Sequence, residues 1–210
     1  MLLVFVLGTL VPMNTFAQNK TQTFLLGRIG IQQDRNTTYR LVEVFQVRGK
    51  WVAPDVGYID FADATSYREV YIGGGAVLLN TEHLTIIGEI FLDKATGDNA
   101  GGALYLLPWT YVGYRFSPKI ISEAVYFPYL PLNQAGTVQH VLERAKVEYI
   151  GIKPMKVGLG YGGYQFGDEP WQNKPFITST LQTSRFGNLE LWLQKIPGTA
   201  QVQIRYTKVF

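Results

Sequence analysis

Gln201-Val202-Gln203-Ile204-Arg205-Tyr206-Thr207-Lys208-Val209-Phe210 is the stretch on which the fold turns. Successive side chains of an extended strand point to opposite faces. Val202, Ile204, Tyr206 and Phe210 therefore share one face, and Gln201, Gln203, Arg205 and Thr207 share the other. One face is apolar and the other polar, the pattern of a strand with two different surroundings. Lys208 interrupts the apolar face near its end.

Working back from this strand, eleven more segments of extended character are separated by turn residues. They cover 21–32, 38–47, 51–60, 67–79, 83–93, 102–116, 119–132, 138–152, 155–166, 174–185 and 188–196. The cleanest is 83–93. Leu84, Ile86, Ile90 and Leu92 fall on one face, opposite His83, Thr85, Glu89 and Asp93. Segment 188–196 sets Leu189, Leu191 and Leu193 against Glu190 and Gln194. Tight turns fall at Gly49, Thr81, Pro118, Pro154 and Gly187. They alternate with longer connections at 33–37, 61–66, 94–101, 133–137 and 167–173. An even strand count with short turns at one end and longer loops at the other is the organisation of a transmembrane β-barrel. Pro108 inside 102–116 removes a ladder donor, and Glu43 and Lys195 sit on faces that otherwise read apolar. Twelve strands is the expected count, and ten remains open if 38–60 is partly loop.

Composition agrees. The 210 residues suit one domain. Charged residues are 17%, below the roughly 25% of soluble domains, while 13 Tyr and 12 Phe raise the aromatic share. Mean hydropathy is close to zero. A barrel that balances a lipid-facing apolar set against a polar lumen averages there, and a bundle of membrane helices does not. The absence of cysteine excludes a disulfide framework, a thiolate metal site and a Cys nucleophile. The net charge of +3 is scattered, so no basic patch points to nucleic acid. Residues 1–17 are uncharged and carry an apolar run, Leu2 to Met13, followed by small residues at Thr15 and Ala17. They suit a signal peptide, with the mature domain spanning 18–210.

The closing strand resembles the C-terminal signal of bacterial outer-membrane β-barrel proteins, which typically end in Phe. Lys208 departs from that pattern, since the family usually carries an apolar or aromatic residue there. The resemblance extends by pattern over the mature chain and implies an all-β, antiparallel, up-and-down transmembrane barrel in the bacterial outer membrane. It makes Tyr206 and Phe210 the assembly signal. The implied partners are outer-membrane lipid and lipopolysaccharide, the barrel-assembly machinery and small solutes.

No catalytic residue, cofactor motif or metal-ligand spacing stands out, and an enzyme is not expected. His83 and His140 read as lumen or interface residues, and Gly73 to Gly75 and Gly160 to Gly163 lack the context of a phosphate loop. The polar faces collect Arg28, Glu69, Glu89, Arg115, Arg144, Lys146, Glu148 and Arg205 as lumen candidates, with Arg40, Glu123, Lys156 and Glu190 beside them. Two interfacial girdles are expected. Trp51, Tyr114, Phe116, Tyr149, Phe186, Tyr206 and Phe210 form the turn-side one. Tyr58, Phe61, Tyr67, Tyr105, Tyr126 and Tyr129 form the loop-side one. The expected function is a porin-like passive channel for small polar or anionic solutes. The alternatives are a non-conducting structural or interaction barrel, and a secreted soluble β-barrel binding a ligand. The soluble barrel would turn Leu84, Ile86, Ile90 and Leu92 toward a core.

Overall fold

The computed structural model describes residues 4–7, 9–12, 21–32, 35–61, 66–98, 100–133, 135–183, 185–196 and 198–210. A separate two-stranded hairpin pairs β1 (Val4–Leu7) with β2 (Thr9–Pro12). The expected signal cleavage, between Ala17 and Gln18, lies outside the described residues.

Among the described residues from 21 onward, the strands form one closed antiparallel barrel of twelve. In chain order these are β3 (Gln22–Gln32), β4 (Arg35–Arg48), β5 (Trp51–Phe61), β6 (Tyr67–Asn80), β7 (Leu84–Thr96), β8 (Leu104–Ser117) and β9 (Ile120–Pro131). Then follow β10 (Gln139–Ile152), β11 (Met155–Phe166), β12 (Gln172–Thr183), β13 (Gly187–Ile196) and β14 (Thr199–Val209). Each strand pairs with its sequence neighbours, and β14 closes on β3 from Gln201 opposite Gln32 to Val209 opposite Phe24. Phe210 adds the last rung, its amide donating to the Thr23 carbonyl at 2.9 Å. Closure leaves no sheet edge, the condition for a sheet to cross lipid.

The alternation in β14 and β7 sets the sidedness of the wall. Gln201, Gln203, Arg205 and Thr207 are buried inside, while Ile204 faces out. Glu89 and Asp93 are buried inside, while Ile90 is 59% exposed and Leu92 faces out with it. The soluble alternative required these leucines and isoleucines in a core, and they form part of the outer surface. The outward set continues through Val42, Val44, Val70, Ile72, Val147, Leu159, Ile177, Leu189, Leu191 and Leu193. It is an apolar belt of the kind that suits a lipid bilayer.

Several expectations are corrected in detail. The loop at 33–37 shrinks, because β4 begins at Arg35. The ten-stranded option falls, because 38–60 is two full strands. Pro108 does not break the wall. Pairing of β8 with β9 pauses between Leu106↔Leu130 and Thr110↔Tyr126, and the unchanged register places Pro108 opposite Pro128. The two residues without an amide proton fall opposite each other, so the missing donors are confined to one short gap in the ladder, and regular pairing resumes on both sides of it. Glu43 lies inside, on the face shared with the buried Leu41 and Phe45, and Lys195 faces out at the loop end of β13. Arg40 also faces out, 3.8 Å from Asp60, which in turn lies 3.5 Å from Arg68.

The turn-side girdle residues Trp51, Tyr114, Phe116, Tyr149, Phe186 and Phe210 all face outward. Tyr206 caps the group by donating to the Phe186 carbonyl at 2.7 Å. Lys208 reaches back over the Phe210 ring, with Nζ 4.8 Å from its centroid. A long cationic side chain can leave its stem in lipid and its charge at the interface, which accommodates lysine at this position. On the loop side only Tyr58 and Tyr126 face out. Phe61, Tyr67, Tyr105 and Tyr129 turn inward and line the lumen.

Candidate functional site

The interior has three levels. At the turn end it is filled with apolar side chains. Phe24, Phe45, Val47, Val52, Ile87, Tyr111 and Val125 form one buried cluster, with the Phe24 and Phe45 rings stacked 4.6 Å apart. At mid-barrel it is filled with paired charged side chains. At the loop end it opens into a cavity of about 1090 Å³, floored by Arg28, Glu43 and Glu143 and flanked by Tyr39, Phe61, Tyr67, Tyr105 and Tyr129.

The ionic level is built on β10. A bulge between Leu142 and Ala145 inserts one extra residue relative to β9 and β11. A bulge re-aims side chains that strict alternation would separate. Both Glu143 and Arg144 consequently enter the lumen network. Glu143 takes Arg28, Arg144 at 2.6 Å and Arg205 at 3.3 Å. Arg144 Nε donates to Glu123 at 2.5 Å. One turn of the pleat further on, Lys146 reaches Glu190 at 2.6 Å, Glu148 at 3.2 Å and Glu123 at 3.3 Å. Arg205 closes the ladder at 3.7 Å from Glu190 and lies over the Trp192 ring, 4.6 Å from its centroid. Glu190 and Arg205 are each 1% exposed. Pairing offsets the desolvation cost of charges this deep.

Glycines make room for the large groups. A Cβ on Gly160 would sit 2.4 Å from the Phe176 ring, which stacks on Trp192 at 4.0 Å. A Cβ on Gly57 would strike the Tyr71 ring at 2.0 Å. Tyr71, on β6, thereby crosses β5 and donates to Glu43 on β4 at 2.6 Å.

All eight sequence-predicted lumen residues lie on the inward side of the wall. Arg28, Arg144, Lys146, Glu148 and Arg205 join the ladder. Glu69 stands apart, accepting the Tyr129 hydroxyl at 3.0 Å. Glu89 and Arg115 are buried in other sectors of the barrel. Sequence reasoning did not single out Glu143, the residue that holds three arginines together. The signal is present as two adjacent charges, Glu143-Arg144, inside an otherwise alternating strand. The histidines are structural: His83 meets the Arg115 carbonyl at 3.2 Å, and His140 the Tyr126 hydroxyl at 2.8 Å.

The charges are segregated around the wall. Strands β4 to β7 turn Glu43, Asp55, Glu69, Glu89 and Asp93 inward, and no described basic side chain on those strands faces the lumen. Strands β10 to β14 and β3 carry Arg28, Arg144, Lys146, Lys156, Lys174 and Arg205 together with Glu143, Glu148 and Glu190, six positive groups against three negative, so this sector is net basic. An acidic sector facing a basic one sets a field across the lumen, which low-dielectric walls concentrate.

The chain shares the barrel fold of bacterial outer-membrane porins. A KdgM porin superposes with a TM-score of 0.63 at 7% identity, over 89% of this chain and 99% of that one. The NanC porin gives 0.60 at 8% identity, over 88% and 98%. The COG4313 outer membrane channel from Pseudomonas putida F1 gives 0.55 at 9% identity, over 90% and 94%. No protein-family model matches the chain, and no curated protein matches it. At these identities the likeness is one of fold. The lumen's chemistry has to be read from its own residues.

Proposed function

We propose that the chain is an outer-membrane channel of the porin type, passing small polar or anionic solutes, and that it has no catalytic role. The observation that carries this is the charge-segregated lumen, open to one side through a cavity that reaches down to Arg28. Arg28 at the cavity floor and Lys174 on its wall are the basic groups an anion meets there, with the paired Arg144, Lys146 and Arg205 buried behind them. The acidic sector opposite orients a dipolar solute against them. A KdgM porin has been solved with disordered oligogalacturonate, an acidic sugar polymer, so a barrel of this shape accommodates an anionic guest.

In the proposed orientation the short turns face the periplasm and the cavity faces outside. Outer-membrane lipid and lipopolysaccharide surround the apolar belt. Residues 1–17 are removed as a signal peptide, so the mature protein recovered from membranes begins at Gln18, which amino-terminal sequencing checks. Tyr206 and Phe210 act as the signal read by the barrel-assembly machinery.

The test is conductance of the purified, folded protein in a planar bilayer. Discrete current steps, with a reversal potential shifted toward the anion under a salt gradient, support the channel. A second reading has its own observation: the turn-end cluster around Phe24 and Phe45 fills the lumen there. Silent insertion of correctly folded protein favours a structural, non-conducting barrel.

A further inference from the structure

The cavity has a second wall that the ion-pair ladder does not touch. Tyr71, Phe91, Tyr105 and Tyr129 cluster on β6 to β9. Tyr71 lies edge-on to Phe91 with ring centroids 5.4 Å apart, and Tyr105 edge-on to Tyr129 at 5.3 Å. Tyr67, 5.6 Å from Phe61, continues the wall toward the loop end.

Two carboxylates are set into these rings. Glu69 is buried and accepts the Tyr129 hydroxyl. Asp93 is 0% exposed, paired in register with Tyr71 on one side and Tyr105 on the other, and neither of its carboxylate oxygens has a hydrogen-bond partner. Among the described residues no basic side chain pairs with Glu69 or Asp93. Unpaired buried carboxylates are costly, and a cation entering the same space offsets that cost. Aromatic ring faces are themselves electron-rich and attract cations, most strongly where water is excluded.

The formal charge of the cavity lining also leans negative, offset only on the opposite wall, where Arg28, Arg144 and Arg205 gather at Glu143. The lining carries Arg28 and Lys174 against Glu43, Glu69, Glu143, Asp168 and Glu169, two positive groups against five negative. The wall is poorly suited to sugar hydroxyls, because the Tyr71 and Tyr129 hydroxyls are already given to Glu43 and Glu69. Two of its three tyrosines thus offer a guest mainly their rings. Among the described residues no group of three His, Cys, Asp or Glu is placed to hold a metal ion. What remains is a cation that needs ring faces and a carboxylate rather than a full ligand set.

We propose that this wall of the cavity binds an organic ammonium ion, its cationic head held by the Tyr71, Tyr105 and Tyr129 rings and the Glu69 carboxylate, with Asp93 behind them. The site rests on the cavity alone and does not depend on conduction through the barrel. Its occupant takes the acidic, aromatic wall and leaves the basic wall to other solutes.

Titration calorimetry on the full-length folded protein in detergent tests it, with choline as the probe. The control is the neutral isostere in which carbon replaces the ammonium nitrogen. Choline binds saturably, and the isostere binds about tenfold more weakly or not at all. Glu69→Gln weakens choline about tenfold. Tyr105→Leu keeps an apolar side chain at the wall and weakens it about fivefold, which covers the case in which Glu69→Gln fails to fold. Glu169→Gln, at the cavity mouth, changes affinity less than about twofold, because its charge is screened. Equal affinity for choline and its isostere, no saturable binding, or unchanged affinity in whichever of Glu69→Gln and Tyr105→Leu folds overturns the proposal. Binding without conductance sinks only the channel. Conductance without binding sinks only this site.

Discussion

Glu143→Gln is the most informative single change. Glu143 is the bulge residue of β10 and the common partner of Arg28, Arg144 and Arg205. Glutamine keeps the volume and removes the charge, leaving three buried guanidiniums around a neutral group. Removing one partner of a buried ion pair costs about 3–5 kcal/mol, because the other charge stays behind uncompensated. The network is shared, and Arg144 and Arg205 retain Glu123 and Glu190, so the lower half of that range is expected. At about 1.4 kcal/mol per decade, the folding equilibrium falls by roughly two to three decades. The assay is urea unfolding of protein inserted in lipid vesicles, followed by heat-modifiable gel mobility and by tryptophan fluorescence, since Trp192 lies beneath Arg205. Glu148→Gln is the internal control. Among the described residues Glu148 has one ion pair, with Lys146 at 3.2 Å, and Lys146 keeps Glu123 and Glu190. Its cost is about 1 kcal/mol. A loss below about 1 kcal/mol for Glu143→Gln, or equal losses for the two variants, refutes the view that the bulge gathers the ladder. Adding Arg28→Met to Glu143→Gln should recover part of the loss, and strict additivity would speak against their coupling.

Three further outcomes are expected. Ile90→Arg places a charge in the middle of the outer belt and costs about 2–4 kcal/mol in lipid vesicles, measured by the same urea unfolding; no loss would mean that this face meets water. Phe45→Ala removes one ring of the stacked pair at the turn end, so single-channel conductance rises several-fold, whereas an unchanged conductance would place the constriction elsewhere. Phe210→Ala lowers the yield of heat-modifiable barrel in the outer membrane of living cells, and an unaltered yield would remove this residue from the assembly signal.

The strand count and the sidedness of β7, β13 and β14 were legible because their outward positions are mostly aliphatic and their inward ones mostly polar, even with Ile87, Phe91 and Trp192 inside and Lys195 and Lys208 outside. Such a pattern has one solution when lipid is outside and charges are inside. The loop-end aromatics were not legible. Tyr105 sits two residues before Leu107 and four before Trp109, all on the inward face, so the lumen in this sector is itself apolar. Alternation cannot distinguish an apolar lumen from an apolar exterior, so it places Phe61, Tyr67, Tyr105 and Tyr129 in the outer girdle although they line the lumen. Glu143 escaped for a different reason. A bulge shifts the phase of a strand by one residue, and only the register against β9 and β11 reveals it. The cavity and the segregation of charge around the wall depend on which strands neighbour one another across the closed barrel, a property of topology rather than of any segment.

Conductance in planar bilayers tests the central claim most directly. Folded protein inserted from the loop-facing side should give discrete steps that favour anions and that shrink when Arg28 is replaced by Met. Insertion of heat-modifiable, fully folded barrels with no current at any voltage would contradict a channel and leave a sealed structural barrel in its place.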